Sequence, residues 1–302
     1  MPIKIPDRLP AKKSLERENI FVMPEKRAAK QDIRPLEIAI LNLMPTKVET
    51  ETQLARVLGN TPLQVNLTFL TTESYRPKHI SEKHLVNFYQ TFDDVKSRKF
   101  DGLVVTGAPV ELLDWRAVKY WDELRKIFDW SLTHVYSTFF ICWGAQAALQ
   151  HFHKVPKHVL PQKKFGVYLH KVRKRNAILL RGFDENFWVP VSRNTETRAE
   201  DLKKVPELEV LADSKEAGVY LVRNKKRHQI FAFNHPEYDR DTLLREYERD
   251  RAKDPNFPKP ENYFDERGKP KMRWQAHTTL LFSNWLNYYV YQETPFDLSA
   301  IR

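Results

Sequence analysis

Cysteine is almost absent from this 302-residue chain, in which Cys142 is the only one. A single cysteine excludes an intramolecular disulfide framework and fits a reducing compartment. The sequence also has no hydrophobic run of membrane-spanning length, and its polar first thirty residues lack the apolar segment of a signal peptide. We therefore expect a cytoplasmic protein that does not enter a membrane, in which the lone thiol is the first candidate for chemistry.

Metal and phosphate motifs are missing as well. There is no second cysteine, and His151 and His153, two residues apart, would not share a helix face. The eight glycines form no phosphate-binding loop. We expect no bound metal and no bound cofactor, which leaves covalent thiol chemistry.

The charge is strongly basic, with 50 lysines and arginines against 39 acidic residues, and much of the excess lies between residues 154 and 181. Such a surface attracts polyanions, so nucleic acid and the phosphates of coenzyme A are both candidates, and a merely solvated face is a third. Because no helix-turn-helix, zinc-finger or aromatic-interleaved basic motif is present, we do not expect nucleic acid as a partner. A basic nucleic-acid-binding protein remains the non-enzymatic alternative.

The order of apolar runs predicts the fold. Residues 1–34 are expected to form an irregular arm and residues 35–302 a single α/β domain. Strands are predicted at 36–44, 63–70, 102–106, 137–141, 177–180, 209–212, 218–222 and 229–233, and helices at 46–58, 82–89, 118–134, 242–252 and 279–291. Residues 254–272, rich in proline and charge, are predicted to be a loop. Strands without polar alternation, separated by helices, indicate a doubly wound, mostly parallel sheet flanked by helices, with its ligands at the carboxyl ends of the strands.

Cys142 stands where an apolar strand meets the small-residue start of a predicted helix. This is the position of a nucleophile elbow. A helix N-terminus there favours the thiolate, and its free N–H groups can receive a developing oxyanion. The alternative is an inert buried thiol, since free cysteine is among the most buried residue types.

His235 follows the last predicted strand, and Pro236 prevents a helix from continuing to Glu237. The turn can bring the Glu237 carboxylate to one imidazole nitrogen while the other nitrogen faces the thiol. The loop at Gly107 could supply a second oxyanion donor, from the backbone of Ala108 or Val110. Arg249 could clamp a substrate carboxylate or could belong to a solvated helix face.

The sequence resembles the homoserine O-acyltransferases of bacterial methionine biosynthesis, also called homoserine transsuccinylases. The resemblance runs almost end to end. Its motifs include Leu41-Asn-Leu-Met-Pro45, Val105-Thr-Gly-Ala-Pro109, Cys142-Trp143, Ser192-Arg193, His235-Pro-Glu-Tyr238 and Asn284-Trp-Leu-Asn-Tyr-Tyr-Val-Tyr-Gln292.

The resemblance implies a class I glutamine amidotransferase-like, flavodoxin-like fold and a homodimer. It implies Cys142 as the nucleophile that carries the acyl group, His235 as general acid and base, and Glu237 as the orienting residue of a Cys-His-Glu triad. It further implies oxyanion donors near Ala108 and Trp143, and a substrate site lined by Lys163, Ser192 and Arg249. Acetyl-CoA and L-homoserine would be small-molecule substrates rather than bound cofactors.

Glu111 occupies the position that the family associates with acyl choice, where glycine tends to mark succinyl-CoA users and glutamate acetyl-CoA users. Two like charges about 4 Å apart repel by about 4 kcal/mol at an effective dielectric of about 20, so an ionised Glu111 would disfavour a succinyl carboxylate. The expected activity is therefore homoserine O-acetyltransferase, with succinyl transfer as an alternative.

Two departures from the family pattern leave the acceptor open. The chain has Trp274-Gln-Ala-His-Thr-Thr279 where the family commonly has Trp-Arg-Ser-His-Gly-Asn, and it has Asn234 where glycine commonly precedes the histidine. If these positions reach the acceptor, L-serine could replace homoserine, giving a serine O-acetyltransferase. A glutamine amidotransferase or thiol hydrolase on the same triad is a further alternative.

Overall fold

The computed structural model describes residues 3–5, 9–17, 22–24, 34–74 and 81–301. Its strands are β1 Ile3–Ile5, β2 Val22–Pro24, β3 Leu36–Leu41, β4 Val65–Leu70, β5 Tyr89–Gln90, β6 Phe100–Val105, β7 Val135–Ile141, β8 His158–Val172, β9 Asn186–Glu196, β10 Leu208–Ser214, β11 Gly218–Asn224 and β12 Gln229–Ala232. Its α-helices are α1 Ala11–Arg17, α2 Lys47–Gly59, α3 Glu82–Phe88, α4 Phe92–Val95, α5 Trp121–His134, α6 Trp143–His153, α7 Ala199–Lys203, α8 Thr242–Arg251 and α9 Gln275–Asn284.

One sheet runs through the described residues in the order β2-β1-β4-β3-β6-β7-β12-β11-β10-β8-β9, with β5 paired to β4. The ladders from β2 to β12 are parallel, and the ladders beyond β12 are antiparallel. The parallel strands β3, β6 and β7 are almost entirely buried, as expected for strands covered on both faces. The mostly parallel, doubly wound sheet predicted from the sequence is confirmed.

Helices cover both faces of the parallel half. Alternate residues of β7 enter different cores: Phe139 packs in one hydrophobic cluster and Phe140 in the other. Helix α2 and the last helix lie on the first face, whereas α5 and α6 lie on the second. Helix α5 buries Leu124, Ile127 and Phe128 at the helical period, so its apolar stripe faces the sheet.

Several predicted elements differ from the structure. The run at 177–180 is a short 3₁₀-helix, Ile178–Leu180, rather than a strand. The predicted helix 279–291 begins earlier, as α9, and continues as a π-helix, Trp285–Tyr291. Strands β8 and β9 were not predicted, because the lysines of β8 had been interpreted as part of a charged surface.

The N-terminal arm is not wholly irregular, since β1, α1 and β2 lie within residues 1–34 and β1 extends the sheet beside β4. Residues 1–2, 6–8, 18–21 and 25–33 of the arm lie outside the described residues. Across the described part of the chain, the helices are too short or too polar to traverse a bilayer.

Candidate active site

Cys142 lies between the end of β7 and the first residue of α6, at the carboxyl edge of the sheet. Its backbone has φ 51° and ψ −119°, a conformation that residues with a Cβ rarely adopt. The Cys142 amide donates to the carbonyl of Ala232 at 2.6 Å, and the Cys142 carbonyl accepts from Ala145 and Gln146 in the first turn of α6. The sharp strand-to-helix turn of a nucleophile elbow is therefore present, with a buried free thiol at its apex.

Two glycines let the neighbouring backbone approach this turn. A Cβ on Gly144 would lie 2.6 Å from the carbonyl oxygen of Thr106, so α6 can pack against the end of β6 only because residue 144 has no side chain. A Cβ on Gly107 would lie 3.2 Å from the Cβ of Cys142 and 3.7 Å from its Sγ. The loop after β6 thus closes directly over the thiol.

His235 follows β12, the strand paired in parallel with β7, so the carboxyl ends of the two strands bring its imidazole to Cys142. The backbone amide of His235 donates to the carbonyl of Pro190 at 3.0 Å. His235 Nδ1 lies 2.8 Å from Glu237 Oε1. The imidazole and the thiol both lie against Gly107, where an added Cβ would be 3.6 Å from His235 Cε1 and 3.7 Å from Cys142 Sγ. The structure therefore brings the three predicted triad residues together, and all three are buried.

The electrostatics of this group favour a protonated imidazole. Burial lowers the pKa of His235, but the negative charges of Cys142 and Glu237, together with hydrogen bonds to both side chains, raise the pKa of His235 well above its usual 6.5. The arrangement can therefore hold a thiolate and an imidazolium side by side. A thiolate is the nucleophilic form of cysteine, and an imidazolium can give a proton to a leaving group.

The backbone amide of Ala108 follows Gly107 in the loop after β6 that closes over the thiol, and the amide of Trp143 directly follows Cys142 at the first residue of α6. Within the described residues, neither amide has a backbone acceptor, whereas the amide of Val110 donates to the carbonyl of Ala108 at 2.9 Å. Of the two amides considered in that loop, Ala108 is the one that stays available to an oxyanion.

Glu111, in the loop after β6, is held by two residues of β9. Its carboxylate accepts from Asn194 Nδ2 at 2.6 Å and from the amide and hydroxyl of Thr195 at 3.2 and 3.1 Å. The same hydroxyl lies 2.9 Å from Gln146 Oε1, and the amide of Gln146 donates to the carbonyl of Cys142. Glu111 is thus a fixed carboxylate, connected through two side chains to the turn that carries the thiol.

Lys163, Ser192 and Arg249 come together around α8, although they lie far apart in the sequence. Lys163 Nζ donates to Asp250 Oδ2 at 2.9 Å, and Arg249 donates to the two oxygens of Asp250 at 2.8 and 3.0 Å. The Ser192 hydroxyl donates to Glu246, whose carboxylate lies 3.7 Å from Lys163. The predicted substrate residues therefore form one charged cluster, which includes two carboxylates that were not predicted.

Tyr238 joins this cluster to the triad. Its ring stacks on the imidazole of His235 with centroids 4.2 Å apart, and its hydroxyl donates to Glu246 at 2.7 Å. Tyr238 belongs to a family motif but had no predicted role, and the charges of α8 were predicted to form either a carboxylate clamp or a solvated face. The i, i+3 and i, i+4 spacing of Glu246, Arg249 and Asp250 is the signal that could have placed them on one face.

A second buried polar group lies next to the triad. The guanidinium of Arg193 is 3% exposed and donates to the carbonyl of Thr195 and to Asn234 Oδ1 at 2.8 and 3.3 Å. Asn234 Nδ2 lies 2.9 Å from Nε2 of His170, whose pKa burial lowers to about 3. Asn234 stands where the family commonly has glycine. Its side-chain amide therefore forms a bridge that glycine cannot form, between the guanidinium of Arg193 and the neutral imidazole of His170.

Residues 274–279, the other segment that departs from the family pattern, hydrogen-bond to the loop that carries His235 and Glu237. Trp274 Nε1 donates to the carbonyl of Tyr238 and Thr278 Oγ1 to that of Pro236, at 2.8 and 2.7 Å. Gln275 and Thr278 line a cavity of about 770 Å³ together with Glu237. The hydrogen bonds of Trp274 and Thr278 are thus with the loop that carries His235 and Glu237 rather than with the cluster around Lys163.

Solved structures with a similar fold are glutamine amidotransferases. One from Thermotoga maritima superposes with a TM-score of 0.54 at 11% identity, covering 84% of this chain and 98% of that chain. Another, from Methylobacillus flagellatus, has a TM-score of 0.51 at 10% identity, covering 85% and 95%. At such identities the likeness concerns the fold alone, and it confirms the class I glutamine amidotransferase-like architecture.

Sequence comparison is far more specific. A protein of Acetivibrio thermocellus named homoserine O-acetyltransferase is 56% identical over 305 residues, covering all of both chains. Proteins of the same name from Thermotoga neapolitana and Bacillus licheniformis are 59% and 57% identical, with at least 98% of each chain covered. The model of the family described as homoserine O-succinyltransferase matches residues 2–296. The chain therefore belongs to this family of acyltransferases, as its motifs had indicated.

Proposed function

We propose that the protein is a homoserine O-acetyltransferase, which moves an acetyl group from acetyl-CoA to the hydroxyl of L-homoserine through an acyl-enzyme on Cys142. The observation that carries the proposal is the buried group at the start of α6, in which His235 lies beside Cys142 and is hydrogen-bonded to Glu237. The relatives that match the whole chain carry this name, and the reaction would commit homoserine to methionine biosynthesis.

In the first half-reaction, the Cys142 thiolate attacks the thioester carbonyl of acetyl-CoA and the amides of Ala108 and Trp143 receive the oxyanion. The bond to the coenzyme sulfur breaks, and the departing thiolate takes the proton of His235. The acetyl group is then held on Cys142 as a thioester, and the imidazole is neutral.

Acylation prepares His235 for the second half-reaction. The negative charge of Cys142 is a principal cause of the raised pKa of His235, and it disappears when the sulfur is acylated. The neutral imidazole can then take the proton of the homoserine hydroxyl as its oxygen attacks the acyl carbonyl. The ester leaves, and Cys142 departs as a thiolate beside a reprotonated His235, which restores the starting pair.

The donor is proposed to be acetyl-CoA because Glu111 is a fixed carboxylate. Three hydrogen bonds from Asn194 and Thr195 prevent it from swinging away from the cleft. A succinyl group would bring a second carboxylate toward it, and the repulsion of about 1 to 4 kcal/mol at short range would select against that donor. An acetyl group carries no charge and meets no such penalty.

The acceptor site is proposed at the cluster of Lys163, Ser192 and Arg249. The two cations would hold the carboxylate of the amino acid, and Glu246 offers an oxygen to its ammonium group. The departures at 234 and 274–279 bond instead to Arg193, His170 and the triad loop. This favours homoserine, as in the named relatives, over serine.

The decisive assay is product mass spectrometry with two donors, acetyl-CoA and succinyl-CoA, crossed against two acceptors, L-homoserine and L-serine. The proposal predicts O-acetylhomoserine as the dominant product. A dominant succinyl ester or serine ester would reassign the donor or the acceptor, and release of ammonia from glutamine without acyl transfer would replace the proposal with an amidotransferase.

A further inference from the structure

A cavity of about 440 Å³ lies on the outer side of α6, between its second half, the start of α5 and the turn at residues 114–116. Two indoles line it, Trp115 and Trp121, with ring centroids 5.1 Å apart. Three permanent cations line it as well: Arg116, Arg125 and Lys154. Flat aromatic rings combined with several cations are the chemistry that recognises a purine nucleotide.

These cations are weakly engaged by the described residues. Arg125 pairs with Asp122 at 3.5 Å, where both side chains are more than half exposed, so the pair contributes little. Lys154 Nζ donates to the carbonyl of His151 at 3.1 Å. The guanidinium of Arg116 makes no hydrogen bond or ion pair with the described part of the chain. All three can therefore turn toward phosphate.

The basic segment between residues 154 and 181 differs from this cavity, because most of its cations already form salt bridges. Salt bridges join Lys163 to Asp250, Lys171 and Arg175 to Glu185, Arg173 to Asp213, and Lys174 to Glu209. The cavity beside α6 differs from that run in placing two indole rings among its cations.

The cavity is in contact with the turn that carries the nucleophile. Trp143 directly follows Cys142, and its ring centroid lies 5.8 Å from that of Trp115. Gln150, which lines the cavity, is seven residues further along α6, a rise of about 10 Å. A ligand that occupies the cavity therefore needs an arm only about as long as two helical turns, about 10 Å, to reach the thiol.

The segment that leads in sequence from Glu111 to the cavity carries two exposed apolar side chains and is held by Lys157. Leu112 and Leu113, between Glu111 and the cavity, are 62% and 43% exposed. Lys157 Nζ donates to the carbonyls of Glu111 and Leu113, and it lies 4.3 Å from the ring centroid of Trp115. Lys157 therefore anchors both ends of this segment.

We propose that this cavity binds the phosphorylated adenosine diphosphate portion of the acyl-CoA donor. The purine contacts Trp115 and Trp121, the phosphates contact Arg116, Arg125 and Lys154, and the pantetheine arm crosses Leu112 and Leu113 to deliver the thioester to Cys142. The inference rests on the proposed use of acetyl-CoA and locates the binding site of its nucleotide.

The test compares acetyl-CoA with S-acetylpantetheine, which has the same thioester and arm but no nucleotide. The rate of Cys142 acylation is measured against donor concentration for the wild type, for the double variant Arg125→Ala/Lys154→Ala and for Trp121→Ala. Lys126→Ala is the matched control, since Lys126 is an exposed cation on the same helix that does not line the cavity.

We expect the double variant to raise the half-saturating concentration of acetyl-CoA about tenfold or more, because it removes charged phosphate contacts. Trp121→Ala should raise it as well, and Lys126→Ala should leave it unchanged. With S-acetylpantetheine all four proteins should behave alike. Added 3′-phosphoadenosine 5′-phosphate should compete with acetyl-CoA but not with S-acetylpantetheine.

Unchanged affinity for acetyl-CoA in the double variant would overturn the nucleotide site, and so would an equal loss with both donors, which would indicate a structural defect. Failure of both donors to acylate wild-type Cys142 would instead overturn the proposed function, together with this inference. The two failures are therefore distinguishable.

Discussion

The ring of Tyr238 lies nearly parallel to the imidazole of His235, at an interplanar angle of 18°. Because the Tyr238 hydroxyl also donates to Glu246, one side chain touches both the imidazole of His235 and the cluster proposed to hold the acceptor. In the proposed mechanism, acylation of Cys142 needs the imidazole but not the acceptor. The stacking on His235 and the hydrogen bond to Glu246 can therefore be tested in separate half-reactions.

Tyr238→Phe keeps the stacked ring and removes the hydrogen bond to Glu246. A lost hydrogen bond to a charged group costs about 1.5 to 3 kcal/mol, so we expect KM for homoserine to rise tenfold or more while the rate of Cys142 acylation stays unchanged. Tyr238→Leu removes the ring as well and should also slow acylation. Equal behaviour of the two variants in both half-reactions would refute this division of labour.

Glu111 should control the donor by charge as well as by size. Glu111→Gly should raise the ratio of kcat/KM for succinyl-CoA over acetyl-CoA by at least about tenfold. Glu111→Gln retains the bulk without the charge and should recover part of that change. If only the glycine variant accepts succinyl-CoA, space rather than repulsion sets the preference, and if neither does, Glu111 does not determine the donor.

The backbone of Cys142 should store strain that is separable from its chemistry. A residue held at a rare φ/ψ costs about 1 to 3 kcal/mol, whereas glycine tolerates such angles at an entropic cost below about 1 kcal/mol. Cys142→Gly should therefore be about 1 kcal/mol more stable to denaturant than Cys142→Ala, with both variants inactive. Equal or lower stability of the glycine variant would show that the turn is not strained.

Much of this fold and site could be predicted from the sequence. The parallel strands were found because buried strands have strong local patterns. Cys142 and His235 were singled out as strand-end residues, but their roles in a triad came from the family resemblance. Strand β8 was not found, because Lys163 and Lys164 disguise a strand whose partner, β9, begins only after the intervening residues 173–185. The strand predicted at 177–180 was wrong for a different reason. This apolar segment packs in the core as a 3₁₀-helix and does not join the sheet.

Residues whose role depends on distant partners could not be predicted. Arg193 is buried by contacts with Thr195, Asn234 and Ala217, which come from three different segments. Nothing within its own segment distinguishes it from a surface arginine. The same holds for His170, which is kept neutral by burial and whose two nitrogens are bonded by Asn234 and by the carbonyl of Tyr168.

His170 should make the fold sensitive to acid. Burial, opposed by the hydrogen bond to Tyr168 and assisted by Arg193, lowers the pKa of His170 from 6.5 to about 3. Between these values the unfolded chain binds a proton that the folded chain excludes, so stability falls as the pH drops below 6.5. The slope is about 1.4 kcal/mol per pH unit, or about 2 kcal/mol by pH 5.

His170→Gln removes this titration while retaining an amide that can bond to Asn234. Urea unfolding at pH 7 and pH 5 should show a smaller loss of stability on acidification in the variant than in the wild type, whatever its stability at pH 7. The same loss in both proteins would mean that His170 is protonated in the folded state.

The central claim is that the acetyl group passes through the sulfur of Cys142, and intact-protein mass spectrometry after incubation with acetyl-CoA alone tests it most directly. The account predicts the mass of one added acetyl group on the wild type, its disappearance when homoserine is added, and no addition on Cys142→Ser. Rapid formation of O-acetylhomoserine by the Cys142→Ser variant, or a wild-type acetyl group that homoserine does not remove, would contradict it.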